Sequence, residues 1–309
     1  MENKEKHLFC FGYGYSCDYL GHELMQKGGW RISGTTRDPE KRKELRSRGV
    51  KAHLFDYDAP LPDLIYMLKD VTHIIISTPP SNDGGPTFNL HAKDILNLPK
   101  LEWVGYLSTI GPYGDRAGGW VDENSELRPT TKRGSRRKSV EEQWLSMLKT
   151  YDLPIHIFRL AGIYGPGRSA LDSVRSGIAQ RIDKPGHYFN RIHVEDVVQV
   201  LIASMLNKNP GEIYNICDDM PSLSHEVIDY ACKLLKIESP PLIPFDKVDL
   251  APIHQSFYKD NKRVRNDKIK NELSITLKYK NYKQGLQACL EAEEYNKATL
   301  GLGYKEGAR

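Results

Sequence analysis

Short apolar runs alternate with amphipathic stretches through the first two thirds of the chain. Runs rich in β-branched and aromatic residues predict strands at 8–11, 30–35, 51–55, 73–77, 103–108, 155–160 and 212–216. Helical periodicity predicts helices at 16–27, 38–47, 62–68, 139–150, 194–205 and 224–235. The segment 73–77 carries three consecutive isoleucines, which is typical of a strand buried on both faces. The alternation predicts an α/β fold with a doubly wound, mostly parallel sheet.

The pattern becomes irregular after about residue 165. A proline-rich segment at 239–244 and a lysine-rich stretch near the end separate the last ninety residues from the sheet-forming part. We therefore predict a dinucleotide-binding domain over 1–165 plus 186–218. A smaller C-terminal substrate lobe is predicted over 166–185 plus 219–309.

Composition and charge narrow the classes of partner. The 309 residues include 44 Lys and Arg against 40 Asp and Glu, a net charge of +4. This small, dispersed excess argues against a nucleic-acid partner. No apolar run approaches the roughly 18 to 20 residues of a membrane span. The charged first seven residues precede too short an apolar run for a secretory signal, so we expect a cytoplasmic protein.

The five cysteines are odd in number and lack Cys-x-x-Cys spacing. This pattern predicts neither a disulfide framework nor a metal site. Reduced thiols, partly buried, are expected.

A glycine-rich turn follows the first predicted strand. Gly12 suits a tight turn, and Gly14 would let the backbone approach a pyrophosphate at the start of the next helix. Cys17 stands where a third glycine is usual, a position that serves close packing between helix and strand. The turn predicts dinucleotide contacts from Gly12, Tyr13, Gly14, Tyr15, Ser16 and Cys17.

The end of the second strand bears on the choice of cofactor. Thr35 or Thr36 occupies the usual place of an acidic residue that binds the ribose of NAD. Arg37, followed by Lys41 and Arg42, offers guanidinium and ammonium groups suited to the 2′-phosphate of NADP. NADP is therefore preferred, and Asp38 keeps NAD as the alternative.

Several ordered motifs together resemble the extended short-chain dehydrogenase/reductase family, also called the NAD-dependent epimerase/dehydratase family. They are Gly12-Tyr-Gly14, Phe55-Asp-Tyr-Asp58, Ser108-Thr-Ile-Gly-Pro-Tyr-Gly114, Phe158-Arg-Leu-Ala-Gly-Ile-Tyr-Gly-Pro-Gly-Arg168, Arg191-Ile-His-Val-Glu-Asp-Val197, Ile213-Tyr-Asn-Ile216 and Lys262-Arg-Val-Arg-Asn-Asp-Lys268. The match covers nearly the whole chain. It implies a Rossmann fold, cofactor contacts at Asp56, Tyr57, Thr78, Pro79 and Pro80, and a homodimer formed through helices near 87–98 and 139.

The family's catalytic pair is absent at its expected place. The family uses a Tyr-x-x-x-Lys pair preceded by a Ser or Thr, and the resemblance puts Thr109 at the hydroxyl position, Arg133 at the tyrosine and Arg137 at the lysine. A guanidinium group stays protonated near neutrality and is no general acid or base. Tyr258-x-x-x-Lys262 and Tyr279-x-x-x-Lys283 fit the spacing but lie in the wrong lobe. The departure resembles atypical members such as the YeeZ-like group, and Arg137 remains a candidate for the nicotinamide ribose.

Two functions remain open. The first is an NAD(P)-dependent oxidoreductase or epimerase that acts on an anionic, possibly nucleotide-linked metabolite with a non-standard proton donor. The second is a non-catalytic dinucleotide-binding redox sensor or partner subunit. Candidate substrate residues are Tyr113, Tyr164, Arg168 and His193, although a structural role for His193 is the stronger expectation. Arg136 and Lys138 join Arg133 and Arg137 as candidates for binding an anion.

Overall fold

The computed structural model describes residues 5–207 and 209–300. Its strands, in chain order, are β1 (Lys6–Phe11), β2 (Trp30–Thr36), β3 (Lys51–Leu54), β4 (His73–Ile76), β5 (Trp103–Thr109), β6 (Trp120–Val121), β7 (Ile155–Leu160), β8 (Gly162–Tyr164), β9 (Arg181–Asp183), β10 (Arg191–His193), β11 (Ile213–Ile216), β12 (Leu242–Pro244) and β13 (Arg263–Val264). The helices are α1 (Tyr15–Lys27), α2 (Pro39–Ser47), α3 (Leu64–Met67), α4 (Pro86–Leu96), α5 (Lys132–Tyr151), α6 (Ala170–Arg175), α7 (Val194–Leu206), α8 (Ser224–Leu235), α9 (Pro252–Phe257), α10 (Asp267–Glu272) and α11 (Tyr282–Leu300).

Seven parallel strands form the central sheet in the order β11-β7-β5-β4-β1-β2-β3. Strand order reverses between β1 and β4, so the chain winds outward in both directions from that point. Ligands of such sheets bind beyond the carboxyl ends of the strands at this reversal. The predicted doubly wound parallel sheet, a Rossmann fold, is confirmed.

Side chains of the central strands alternate between two hydrophobic cores. On β1, Leu8 and Cys10 belong to the core that contains residues of α1 and α7, whereas Phe9 and Phe11 belong to the core with α4 and α5. Period-two alternation explains this division, because successive side chains of a strand point to opposite faces. Each face of the sheet is therefore covered by helices.

A third, smaller core joins α6, α8 and α11 through Leu171, Val174, Val227 and Leu286. Residues of the segment that follows β13, among them Ile269 and Leu273, instead share the core of α1 and α7. The predicted domain ranges also include 1–4 and 301–309, which lie outside the described residues. The division into a dinucleotide-binding domain and a substrate lobe stays a prediction.

Three predicted boundaries need correction. Helix α5 begins at Lys132 rather than Ser139, because Thr131 accepts a hydrogen bond from the Gly134 amide and caps the basic segment as a helix. Helix α3 begins at Leu64, after the predicted start at Pro62, since Asp63 has a left-handed backbone (φ 47°). Regular structure also continues beyond residue 165, where α6 and β9 were not anticipated.

No helix within the described ranges is both long and apolar enough to span a membrane. The five cysteines are buried and none forms a disulfide.

Candidate dinucleotide site

The glycine turn lies at the reversal of strand order. Gly12 has φ +85°, and its amide donates to Thr35 Oγ1 at 2.8 Å. A β carbon at Gly12 would lie 3.3 Å from the Thr78 amide nitrogen, so the turn passes close to the end of β4. The left-handed backbone and this close approach both favour glycine.

Gly14 leaves the start of α1 open. It is the N-cap residue of the helix, and no side chain caps the helix there. A β carbon at Gly14 would meet nothing within 4 Å. The first amides of a helix attract anions, so the open face beside Gly14 suits a pyrophosphate.

Three residues of the glycine turn and the start of α1 have buried side chains. Tyr13 is only 2% exposed, and its ring packs where a β carbon of Gly21 or Gly34 would otherwise be. Tyr13 was predicted to contact the cofactor, and its burial leaves only its main chain for that contact. Cys17 is also buried, against Cys10, and it supplies the close packing expected at the third glycine position. Ser16 is buried at the start of α1.

Tyr15 connects the turn to the loop that follows β8. Its hydroxyl donates to the Pro166 carbonyl at 3.0 Å. The Arg168 guanidinium carbon lies 5.4 Å from the centre of the Tyr15 ring, within cation–π range. Burial raises the pKa of Tyr15, so the phenol stays protonated near neutrality.

Arg37 and Tyr57 lie together at the ends of β2 and β3. The guanidinium carbon of Arg37 is 5.5 Å from the Tyr57 ring centre, and Arg37 is exposed. Asp38 instead accepts hydrogen bonds from the Glu40 and Lys41 amides, at 2.8 and 3.3 Å, and caps α2. The cap assigns Asp38 a structural role.

The other residues predicted at this end of the sheet differ in exposure. Asp56 is exposed, and its carboxylate accepts from the Asp58 amide at 3.2 Å. Thr78 is buried and its hydroxyl is hydrogen-bonded to Thr87 Oγ1 at 2.9 Å. Pro79 is exposed and Pro80 is half-buried. Of this segment, the main-chain amide of Thr78 lies next to Gly12 at the reversal point.

Thr109 ends β5 beside the first turn of α5. Its hydroxyl oxygen accepts from the Gly111 amide at 3.0 Å, and the residue is half-buried. A β carbon at Gly134 would lie 3.0 Å from the Gly111 carbonyl oxygen, so α5 begins against the turn that follows Thr109. The structure thus brings the Thr109 segment together with the helix start that carries the predicted arginines.

The arginines of α5 have different partners. Arg137 Nη1 donates to Tyr106 Oη and to the Leu107 carbonyl, both at 2.9 Å. Arg136 donates to Asn82 Oδ1. Arg133 is exposed, with its guanidinium carbon 5.7 Å from the Phe257 ring centre. Arg137 is consequently the one of the three that is bonded to the sheet.

Tyr113 lies in the protein interior. It is fully buried, receives a hydrogen bond from Arg159 Nη1 at 2.9 Å and donates to Asn215 Oδ1 at 2.7 Å. Arg159 also pairs with the buried Glu141 carboxylate at 2.8 Å. Burial raises the pKa of Tyr113 to about 12. These bonds use the phenol within the fold, and the predicted substrate role of Tyr113 stays a prediction.

His193 is a buried residue at the start of α7. Its Nδ1 accepts from the Glu195 amide at 3.3 Å, and its ring packs edge-on against Tyr279 and Tyr164 at centroid distances of 4.2 and 5.3 Å. Burial lowers its pKa to about 4, so the ring is neutral near pH 7. These contacts agree with the structural role expected for it.

A pocket of about 460 Å³ lies between α6, α8 and α11. Of the predicted substrate residues, Tyr164 and the exposed Arg168 line it. Arg191 also lines it and was not anticipated. The motif 191–197 had been singled out by the family resemblance, but nothing in the sequence showed that its arginine lines a cavity rather than the protein surface.

No family model matches the chain. The protein YeeZ from Escherichia coli is 27% identical over 246 residues, covering 76% of this chain and 86% of YeeZ. A solved structure of a conserved protein of unknown function from Silicibacter pomeroyi is 46% identical, with a TM-score of 0.84 over 93% of this chain and 99% of its own. A dTDP-glucose 4,6-dehydratase from Bacillus anthracis in complex with NAD is 19% identical, with a TM-score of 0.75 over 95% and 98% of the two chains.

The parallel sheet with an open helix start at its strand-order reversal defines a Rossmann-type protein. Its sequence relatives, including YeeZ, and its structural neighbours are members of the NAD-dependent epimerase/dehydratase, or extended short-chain dehydrogenase/reductase, family, which the chain resembles.

Proposed function

We propose that the protein binds a nicotinamide dinucleotide and is an oxidoreductase or epimerase of an anionic, possibly nucleotide-linked metabolite. The observation that carries the proposal is the uncapped start of α1 beside Gly14, at the reversal of strand order. The space beside Gly14 can hold a pyrophosphate, because glycine has no side chain that would fill it. The similar dehydratase from Bacillus anthracis was solved with NAD, which supports the same class of cofactor.

Residues on both sides of the glycine turn would hold the two ends of the cofactor. Arg37 and Tyr57 would receive the adenosine end, and the exposed guanidinium favours the 2′-phosphate of NADP. Thr109 and Arg137 would lie at the nicotinamide end, since they occupy the end of β5 and the adjoining helix. The bound nicotinamide supplies hydride transfer, while the protein orients and polarises the substrate.

Proton transfer would not follow the usual family route. Arg133 and Arg137 carry permanent positive charge and bind anions rather than exchange protons. Thr109, at the end of β5, would hydrogen-bond a substrate oxygen, and Arg133 and Arg136, in the first turns of α5, would attract its negative charge. A substrate would therefore be held by charge, with the proton supplied by a different group.

A non-catalytic dinucleotide sensor is the second candidate. The observation that favours it is the pair of bonds from Arg137 to Tyr106 and Leu107, which commit one nitrogen of the guanidinium to the fold. A partner subunit would need the same cofactor site but no reacting centre. Turnover separates this candidate from the first.

Titration of NADPH and NADH by calorimetry tests the cofactor assignment. Gly14→Val should abolish detectable binding of both, because its side chain would fill the space beside the helix start. The same variant should keep the thermal midpoint of the wild type, since its added atoms begin in open space in the free protein. Undiminished binding by a folded Gly14→Val variant would refute the site.

A screen of nucleotide sugars with the cofactor-loaded protein tests catalysis. Reduction of the nicotinamide or conversion of a sugar supports the oxidoreductase or epimerase. Cofactor binding without any turnover supports the sensor.

A further inference from the structure

Arg191 is a half-buried cation that lines the pocket between α6, α8 and α11. Its Nη1 donates to Ser222 Oγ at 2.8 Å and to the carbonyls of Phe189 and Ser222 at 3.3 and 3.4 Å. Within the described residues, no carboxylate oxygen lies within the 4.0 Å of an ion pair with it. These three hydrogen bonds all come from Nη1. The other guanidinium nitrogens, Nη2 and Nε, are therefore available to another partner.

Asp218 is a candidate counter-charge for Arg191, but it forms no ion pair with it among the described residues. Its amide donates to the Arg191 carbonyl at 2.7 Å, which ties the two main chains together. The carboxylate accepts from the Met220 amide at 3.0 Å, and its other oxygen has no partner among the described residues. Burial raises the pKa of Asp218 to about 7, so a substantial fraction of it is uncharged near neutrality. The charges of Asp218 and Arg191 attract each other, but no ion pair joins the two side chains among the described residues.

The walls of the pocket are largely apolar. Val227 and Ile228 of α8 and Leu286 of α11 line one part, and the rings of Tyr164 and Tyr282 line another. Side chains of Ser173, Ser176 and Ser224 add hydroxyl groups, and Asp172 adds a carboxylate that already accepts from Ser169. The volume of about 460 Å³ lies within the range that encloses small organic ligands.

We propose that this pocket binds a small carboxylate with an apolar body, its carboxylate on Arg191 and its body against Val227, Ile228 and Leu286. A guanidinium that lines a pocket without an ion pair can accept an anionic partner, and a carboxylate matches its two-pronged donor geometry. The apolar wall excludes a ligand that is charged throughout.

The site is separate from the dinucleotide site. None of the residues of the glycine turn lines the pocket. The two sites adjoin through Tyr15, whose hydroxyl bonds to Pro166 just before the lining residues Gly167 and Arg168. Because the pocket includes the predicted substrate residues Tyr164 and Arg168, the inference rests on the proposed function and names a ligand class for its substrate side, and it is tested without cofactor.

The test uses octanoate, octan-1-ol and acetate as probes in calorimetry on the full chain. Octanoate should bind saturably, whereas octan-1-ol lacks the charge and acetate lacks the apolar body, so each should bind at least tenfold more weakly. Arg191→Met should weaken octanoate binding at least tenfold. Asp218→Asn should strengthen it, because a competing negative charge is removed.

Controls separate a lost site from a lost fold. Arg265→Met removes an exposed arginine outside the pocket and should leave octanoate binding unchanged. Ile228→Trp should fill the pocket and reduce octanoate binding at least tenfold with Arg191 intact. NADPH binding by the Arg191→Met and Ile228→Trp variants shows whether these variants are folded. If the wild-type protein does not bind NADPH, that result counts against the proposed function and not against the carboxylate pocket.

Three outcomes would overturn the proposal. They are no saturable octanoate binding by the wild type, equal binding of octanoate and octan-1-ol, and unchanged octanoate binding by both pocket variants.

Discussion

Arg137 donates a hydrogen bond to the main-chain carbonyl of Leu107 at 2.9 Å, linking the second turn of α5 to β5. The same nitrogen donates to Tyr106 Oη at 2.9 Å, and the guanidinium carbon lies 5.6 Å from that ring centre. These contacts position a permanent cation beside the end of β5. A cation fixed in this way can orient a cofactor or substrate oxygen without exchanging a proton.

Replacing the two arginines tests the altered proton route. We expect little wild-type dehydrogenase activity on simple alcohols, because no phenolate can form at Arg133. Arg133→Tyr combined with Arg137→Lys should produce measurable turnover of any substrate that already binds. Substrate conversion is followed through the absorbance of the reduced nicotinamide, with each single variant as a control.

Rapid wild-type turnover that persists, with an unchanged pH profile, in Tyr113→Phe and Tyr164→Phe variants would show that a different acid is at work. Gain of activity by a single variant alone would contradict the need for the pair.

The buried pair Arg159–Glu141 should contribute strongly to stability. Its side chains are only 4% and 1% exposed, and Ser108 also donates to Glu141. Glu141→Gln leaves a buried guanidinium without its counter-charge, so we expect a loss of about 3 to 5 kcal/mol in the free energy of unfolding. Denaturant titration measures the loss.

The exposed pair Lys43–Glu40 provides the matched control for Glu141→Gln. Its side chains are 68% and 78% exposed, and Glu40→Gln should cost at most about 1 kcal/mol. Similar losses for the two variants would mean that Glu141 is not held by charge.

Prediction from the sequence succeeded where a local pattern decides the structure. The glycine turn at Gly12 and the apolar strand β4 follow from main-chain sterics and from burial on both faces, and both lie where expected. The pattern of apolar positions began α5 only at Ser139, because residues 132–138 include no apolar side chain, although Thr131 caps the helix just before Lys132.

Side-chain environments were harder to predict than strands. Tyr113 follows Thr109 by four residues and so resembled a cleft residue, but its partners Arg159 and Asn215 come from strands distant in the sequence. Arg191 likewise shares its pocket with residues of α6, α8 and α11. Only tertiary packing brings such partners together.

Cofactor preference is tested at Arg37. If its guanidinium receives a 2′-phosphate, Arg37→Glu should weaken NADPH binding by roughly 1.5 to 3 kcal/mol, the size of a charge-assisted hydrogen bond. NADH binding should change little. Arg31→Glu is the control, because Arg31 lies on the same strand five residues before its end. Equal losses for both cofactors, or none for either, would contradict NADP preference.

Asp218 should make stability depend on pH. Burial raises its pKa to about 7 in the folded protein, against about 3.9 in an unfolded chain. The folded state therefore binds the Asp218 proton more tightly than the unfolded state does. The contribution of Asp218 to the free energy of unfolding is fully present below about pH 4 and is lost as pH rises towards 7. The Asp218→Asn variant cannot ionise at this position and so does not lose stability as pH rises. At pH 8 the free energy of unfolding of the variant should exceed that of the wild type by on the order of 2 to 4 kcal/mol. Denaturant titrations of both proteins from pH 4.5 to 8 should show the difference widening with pH, and a constant difference would exclude Asp218 as its source.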